Sequence, residues 1–211
     1  MGNPEAGGSL GKKARLKRYD LIVIGTGSGL EVASAGLDRG LRVAVVEQGA
    51  FGGTCLNRGC IPSKMLIHCA DVMETVQQAH RFGIKATVES VDWRFIVDRV
   101  AREIDDEAAA IEASGRNIPN ATIFKGEARF VGHKALKVDG EQIEAERVVI
   151  AAGTRPAVPP IPGLAGVPYL TSDEALRLTE QPRRLAILGG GFIAAELAHF
   201  FGTLGTQVTI I

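Results

Sequence analysis

The chain has 211 residues, 45% of them hydrophobic, enough apolar material for a real core in one large domain or two small ones. Its 24 Lys and Arg balance its 24 Asp and Glu, so the global charge points to neither nucleic acid nor an acidic membrane surface, and no stretch approaches the roughly 18 apolar residues of a membrane span. Three cysteines, Cys55, Cys60 and Cys69, are too few for the disulfide scaffold of a small secreted domain.

Residues 1–18 carry no apolar signal core. Their glycines and the basic run Lys12, Lys13, Arg15, Lys17 and Arg18 read as a disordered, solvated leader, against the alternative of an address or a polyanion contact. A cytoplasmic location follows, where a stable structural disulfide is not expected. Folding is predicted to start at Tyr19. Leu21 to Ile24 is a short β-branched run suited to a buried parallel strand, and Gly25-Thr26-Gly27-Ser28-Gly29 is a turn. A helix follows to Arg39, and a second strand covers Arg42 to Val46. This is one βαβ unit.

Helical patterns cover Pro62 to His80 and Trp93 to Ala113. Short strands in a meander are expected at Thr122–Phe124, Ala128–Val131 and Leu136–Val138, with a buried strand at Val148–Ala151. A loop with Pro156, Pro159, Pro160, Pro162 and Pro168 reads as a linker. Leu185–Leu188, the glycines 189–191, Phe192–Thr203 and Val208–Ile211 then repeat strand, turn, helix, strand. The fold class is α/β: a Rossmann-like dinucleotide domain over 19–160 with a helical insertion and a β-meander, a linker over 161–183, and the start of a second Rossmann-like domain over 184–211.

The glycine turns carry the first chemical signal. Gly25 permits a tight turn after the strand, and Gly27 lets backbone approach a pyrophosphate. The helix then aims its N-terminal amides and dipole at that charge. Glu47, at the end of the second strand, stands where an acceptor for ribose hydroxyls is needed. Leu30 occupies the usual third-glycine position, which bears on helix–strand packing. The second turn, Gly189, Gly190, Gly191, fits the same fingerprint with Ala194 at the third site. Two dinucleotide turns in one chain suggest two different dinucleotides with electrons moving between them.

The stretch GGTCLNRGCIPSK, Gly52 to Lys64, holds two of the cysteines. A zinc site needs further Cys or His at ligand spacing; only His68 is near, so no metal is expected. Inert burial leaves Gly59 and Pro62 unexplained. Cys60 near a helix N-terminus has its thiolate favoured by the helix dipole, as a redox-active thiol needs. Cys69, within the same helix, reads as an ordinary buried thiol.

This segment resembles the active-site stretch of the flavin-dependent pyridine nucleotide–disulfide oxidoreductases, the family of dihydrolipoamide dehydrogenase, mycothione reductase, glutathione reductase and mercuric reductase. VIAAGTRP (Val149–Pro156), YLTSDEAL (Tyr169–Leu176) and GGGFIAAELAHFFGTLG (Gly189–Gly205) resemble that family's second flavin motif, its linker and the start of its nicotinamide domain. GCIPSK is most like dihydrolipoamide dehydrogenases, while GTGSGL, EQGAFGGTCLN and GFIAAELAH are more like mycothione reductase; the former is kept level or slightly ahead.

The resemblance implies FAD and NAD or NADP as cofactors, and a disulfide between Cys55 and Cys60. Cys60 is then the thiolate beside the flavin, and Cys55 the thiol that exchanges with a small-molecule disulfide or lipoyl group. It implies Lys64 and Glu196 near the meeting point of flavin and nicotinamide, possible partners of each other. Gly25, Gly27, Ser28, Gly29, Glu47, Gly53, Thr54, Cys55, Lys64, Ala128, Ala152 and Gly153 are implied around FAD, and Gly189, Gly191, Ala194 and Glu196 around the nicotinamide. Full-length relatives are expected to be homodimers of more than twice this length, with a His–Glu acid/base pair in a later domain that none of His68, His80, His133 and His199 matches. The expectation is an incomplete enzyme without turnover alone; the competing reading is a non-catalytic FAD-binding or redox-sensing module.

Overall fold

The computed structural model describes residues 16–211. Strand β1 (Lys17–Ile24), helix α1 (Gly29–Leu37) and strand β2 (Val43–Glu47) form the expected first βαβ unit. Helices α2 (Gly53–Arg58), α3 (Cys60–Gln78) and α4 (Trp93–Gly115) follow. Strands β3 (Ala121–Lys125), β4 (Ala128–Gly132), β5 (Ala135–Val138) and β6 (Glu141–Ile150) complete a six-stranded sheet in the order β3-β2-β1-β6-β5-β4. After the proline-rich loop come a one-turn helix α5 (Ser172–Ala175), then β7 (Arg184–Ile187), α6 (Phe192–Thr203) and β8 (Gln207–Ile210), with β7 and β8 parallel.

Strands β3, β2, β1 and β6 run parallel, and β4 and β5 add antiparallel at one side. Residues 43–46 are all buried because the sheet is covered on both faces, so the sequence shows no polar alternation there. On one face Leu21, Val23, Val43 and Val45 meet Ala33 of α1. On the other, Ile22, Ala44, Val46 and Phe124 meet Leu136, Val138 and Ile143. Phe124 and Val138 stand on strands far apart in the sheet order, so the meander curls back over the sheet's own face.

The third cluster joins α3 and α4 to the linker and to α6. In α4 the buried residues Trp93, Val97, Val100, Ile104 and Ala108 recur at helical spacing, and Asp92 caps the helix by accepting from the Phe95 amide at 2.9 Å. Against this stripe pack Leu66 of α3, Leu176 and Leu204, and Phe200 and Phe201 of α6. The Trp93 ring lies 4.9 and 5.2 Å from those two phenylalanine rings, and its indole N–H donates to the Leu178 carbonyl at 2.7 Å.

The structure moves several predicted boundaries. Lys17 and Arg18 are not leader residues: they are the first residues of β1, where they pair with Ile143 and Glu144 in register and form ion pairs with Glu141 and Glu144. Of the rest of the predicted leader, Leu16 is exposed just before β1 and residues 1–15 lie outside the described residues. The strand expected at Val148–Ala151 runs over Glu141–Ile150, pairing with β5 through residues 141–144 and with β1 through residues 143–150, and it is not the buried strand expected: Val148 and Val149 are half-buried and Ile150 is 67% exposed. The helix expected from Pro62 begins at Cys60, and Cys55 lies in a separate helix, α2. The linker contains α5, closed by a Thr171–Glu174 capping box and tied down by Arg177, which donates to both Asp105 oxygens at 3.0 and 2.7 Å.

Candidate functional site

The first glycine turn, the turn at Gly52-Gly53 and the segment after β6 converge at the C-terminal ends of the parallel strands, the edge where open α/β sheets hold ligands. Gly25 has φ +101°, and a Cβ there would stand 2.1 Å from the Ala151 carbonyl oxygen. A Cβ at Gly53 would stand 2.4 Å from the Gly27 Cα, and one at Gly153 3.6 Å from the Thr54 hydroxyl. Three segments distant in sequence therefore touch through bare backbone, and they bring Gly25, Gly27, Gly53, Thr54, Ala152 and Gly153 together. The helix–strand packing assigned to a third glycine is met one residue earlier than the fingerprint places it. A Cβ at Gly29 would lie 2.8 Å from a Val23 methyl, and Leu30 is only half-buried. Ser28 precedes α1 and is exposed, with no side-chain cap.

Glu47 is already engaged. One carboxylate oxygen accepts from the Thr26 amide (3.0 Å) and hydroxyl (2.8 Å), and the other from the Gly49 amide (2.8 Å). It thus fixes the turn to the end of β2; a carboxylate has about four acceptor sites, so capacity for a further donor remains. Beside it Lys125 pairs with Glu47 in register and the Gly126 amide donates to the Glu47 carbonyl at 2.9 Å. Ala128 opens β4 two residues later, half-buried.

Cys55 and Cys60 are both free thiols and both exposed. Gly59 separates them (φ −138°, ψ −117°): a Cβ there would stand 2.9 Å from the Thr54 carbonyl oxygen and 3.4 Å from the Cys55 Cα, so only glycine lets α3 start this close to α2. Cys60 is the first residue of α3 and Pro62 lies in its first turn, where a missing N–H costs little. A hydrogen bond with the Cys60 side chain, together with desolvation, pushes the Cys55 thiol above its ordinary range. Cys69 is half-buried; its thiol donates to the Met65 carbonyl at 3.4 Å, and Arg99 approaches its sulfur at 3.5 Å.

From the second unit, α6 lays Glu196 against Lys64 of α3 in an ion pair, and the lysine holds the Glu196 carboxyl below the usual range. Ala194 is buried on the same helix. The turn before it differs from the first: Gly189 has φ +102°, yet a Cβ at Gly189, Gly190 or Gly191 would meet nothing within 4 Å. The Gly189 amide donates to the Ile211 carbonyl as Gly25 does to Val46, so the position equivalent to Glu47 lies one residue past Ile211. Among the described residues one trio of possible metal ligands lies together, Asp71, Glu74 and His199, with donor atoms within 4.8 Å. It contains neither Cys55 nor Cys60, and His199 Nε2 already bonds Asp71 Oδ1 at 2.8 Å. No helix of the described residues is long and apolar enough to cross a membrane.

Asn57, which the sequence reading passed over, reaches from α2 to the turn: its Nδ2 donates to the carbonyls of Phe51 (2.8 Å) and Gly53 (2.9 Å).

A family model of the pyridine nucleotide-disulphide oxidoreductases matches residues 19–211. The chain belongs to this family. It is 44% identical to mycothione reductase of Mycobacterium tuberculosis (strain H37Rv) over 205 residues, covering 93% of this chain and 44% of that protein. It is 37% identical to dihydrolipoyl dehydrogenase of Chlamydia muridarum over 202 residues, covering 92% of the chain and 43% of the relative. Among solved structures, the HOCl-induced flavoprotein disulfide reductase RclA from Escherichia coli superposes with a TM-score of 0.78 at 33% identity, over 91% of this chain and 41% of that one. The chain thus spans less than half the length of these family members.

Proposed function

We propose that residues 19–160 bind FAD at the first glycine turn, that residues 184–211 contribute to an NAD(P)-binding unit joined through 161–183, and that Cys55 and Cys60 carry electrons to or from a disulfide. The observation that carries this reading is the contact of Gly53 with Gly27, which presses the helix bearing Cys55 onto the dinucleotide turn. The residues fit a dinucleotide: Gly27 presents a bare Cα, the α1 amides follow it, and Glu47 keeps acceptor capacity. When bound, FAD would supply the exchange of two electrons between a nicotinamide and a disulfide.

The chain's own part is thiol exchange. As a thiolate, Cys55 attacks one sulfur of the substrate disulfide and releases the other half as a thiolate. Cys60 then attacks the Cys55 sulfur, releases the second half and leaves Cys55 and Cys60 joined, so the substrate gains the two electrons that the pair loses. Both thiols are exposed and open to a disulfide; the family resemblance assigns Cys55 to the substrate and Cys60 to the cofactor. Lys64 and Glu196, paired across α3 and α6, would stand between the two cofactors. The 44% identity to mycothione reductase, against 37% to dihydrolipoyl dehydrogenase, favours a low-molecular-weight disulfide; the stretch Gly59 to Lys64 supports a lipoyl group as the second reading.

A flavin spectrum of the purified chain tests the proposal. A Cβ at Gly27 would sit 3.5 Å from the Gly53 Cα, an ordinary contact, so Gly27→Ala should fold. It should lower FAD affinity at least about tenfold by filling the space the pyrophosphate needs, while Gly191→Val should leave FAD binding intact. A wild-type chain that takes up no FAD, or equal loss in both variants, would refute the assignment.

A further inference from the structure

We propose that Asn57 is the positioning residue that holds the cysteine pair in register with the dinucleotide turn. The proposal rests on the function proposed above and extends it to a residue outside the glycines and thiols. Helix α2 has six residues, far short of the length at which a helix stands alone in water. It starts from two left-handed glycines, Gly52 (φ +98°) and Gly53 (φ +64°), and no side chain caps that end. Something else must hold it.

The Asn57 amide does so. Its Nδ2 donates to the Phe51 carbonyl at 2.8 Å and to the Gly53 carbonyl at 2.9 Å, and lies 3.4 Å from the Ala50 carbonyl. Both amide protons are thus spent on the turn that touches Gly27, and Cys55 lies between that turn and Asn57 on the same short helix. The other end of the side chain has no partner: Oδ1 is buried without a hydrogen bond. A buried acceptor left unsatisfied is destabilising. The side chain serves the turn through its donors, so a variant that keeps an acceptor and loses the donors isolates that role.

Leucine has the same number of side-chain heavy atoms and the same branching, with bulkier methyls in place of both polar groups. Asn57→Leu removes the donors and the acceptor together and leaves the Phe51 carbonyl without its partner, so its thermal midpoint should fall while its far-UV circular dichroism stays that of wild type. The Cys55–Cys60 equilibrium should also shift. In glutathione buffers, oxidised glutathione takes two electrons and two protons from the thiols and leaves a protein disulfide and two glutathione thiols. Loosening α2 should lower the equilibrium constant for ring closure about tenfold, about 30 mV for this two-electron couple. FAD affinity should fall by a similar factor. Asn57→Asp serves as the second variant: ionised, it has no donor for the carbonyls, and protonated it regains one, so its deficit relative to wild type should narrow as the pH is lowered toward the carboxyl's titration.

Mass analysis of alkylated 211-residue chain reads the thiol equilibrium without flavin. If wild type binds no FAD, the proposed function fails, and the thiol equilibrium still decides the role of Asn57. A wild-type equilibrium in Asn57→Leu, a pH-independent deficit in Asn57→Asp, or a wild-type chain whose two cysteines link in no buffer would each overturn the proposal.

Discussion

The titration of Cys55 is set by its neighbour Cys60. Its bond with the Cys60 side chain, its desolvation and the nearby Cys60 charge all raise its pKa. A raised thiol pKa means less thiolate at neutral pH, so Cys55 waits protonated and needs a base to become a nucleophile. The expected result is that its alkylation by iodoacetamide rises through a midpoint above the ordinary value of about 8.5. Cys60→Ala removes the largest cause and should move that midpoint down, leaving desolvation, which raises it, against the residue-60 backbone hydrogen bond, which lowers it. Alkylation profiles with the same ordinary midpoint in both proteins would contradict this account. Asn57 and Gly59 act at the same scale, and neither is announced by composition. Asn57 works on carbonyls up to six residues away, and Gly59 is required by a carbonyl that approaches only once α2 and α3 are both formed. The spacing of the cysteines was legible; the reason the spacing works was not.

At the scale of elements, α4 is the piece on which the others rest. Its Trp93 is 5% exposed, stacks on Phe200 and Phe201, and anchors the linker through Leu178. Trp93→Ala should cost about 3–5 kcal/mol, the usual range for deleting a buried aromatic, with the indole hydrogen bond lost as well; a chemical-denaturation midpoint little changed from wild type would show that α6 does not depend on it. Most elements could be read from the sequence, since buried apolar runs and helical spacing survive any tertiary context. The boundaries that moved did so for tertiary reasons. Lys17 and Arg18 look like leader residues in isolation, and they become strand residues because β6 offers Ile143 and Glu144 in register, with Glu141 and Glu144 as charge partners. Gly29 does what the fingerprint asks of position 30, because in this chain it is Gly29 that faces Val23.

For the molecule as a whole, the second βαβ unit meets the rest of the chain in a packed junction of α6 against α3 and α4. Trp93 is the chain's one tryptophan and sits inside it, so its fluorescence reports the junction while far-UV circular dichroism reports every element. The two signals should unfold with one midpoint, as a two-state unit does; an earlier fluorescence transition would mean that the units part before they melt. The two glycine turns, alike in pattern, differ in what surrounds them. At the first, Gly25 and Gly53 are held by backbone on every approach, so a side chain there breaks the fold before it can alter a ligand. At the second, Gly190 and Gly191 face open space, and neither has a backbone conformation reserved for glycine. That difference is useful: side chains varied at 190 and 191 leave the chain free to fold, so the NAD(P) binding proposed above can be probed there independently of foldedness.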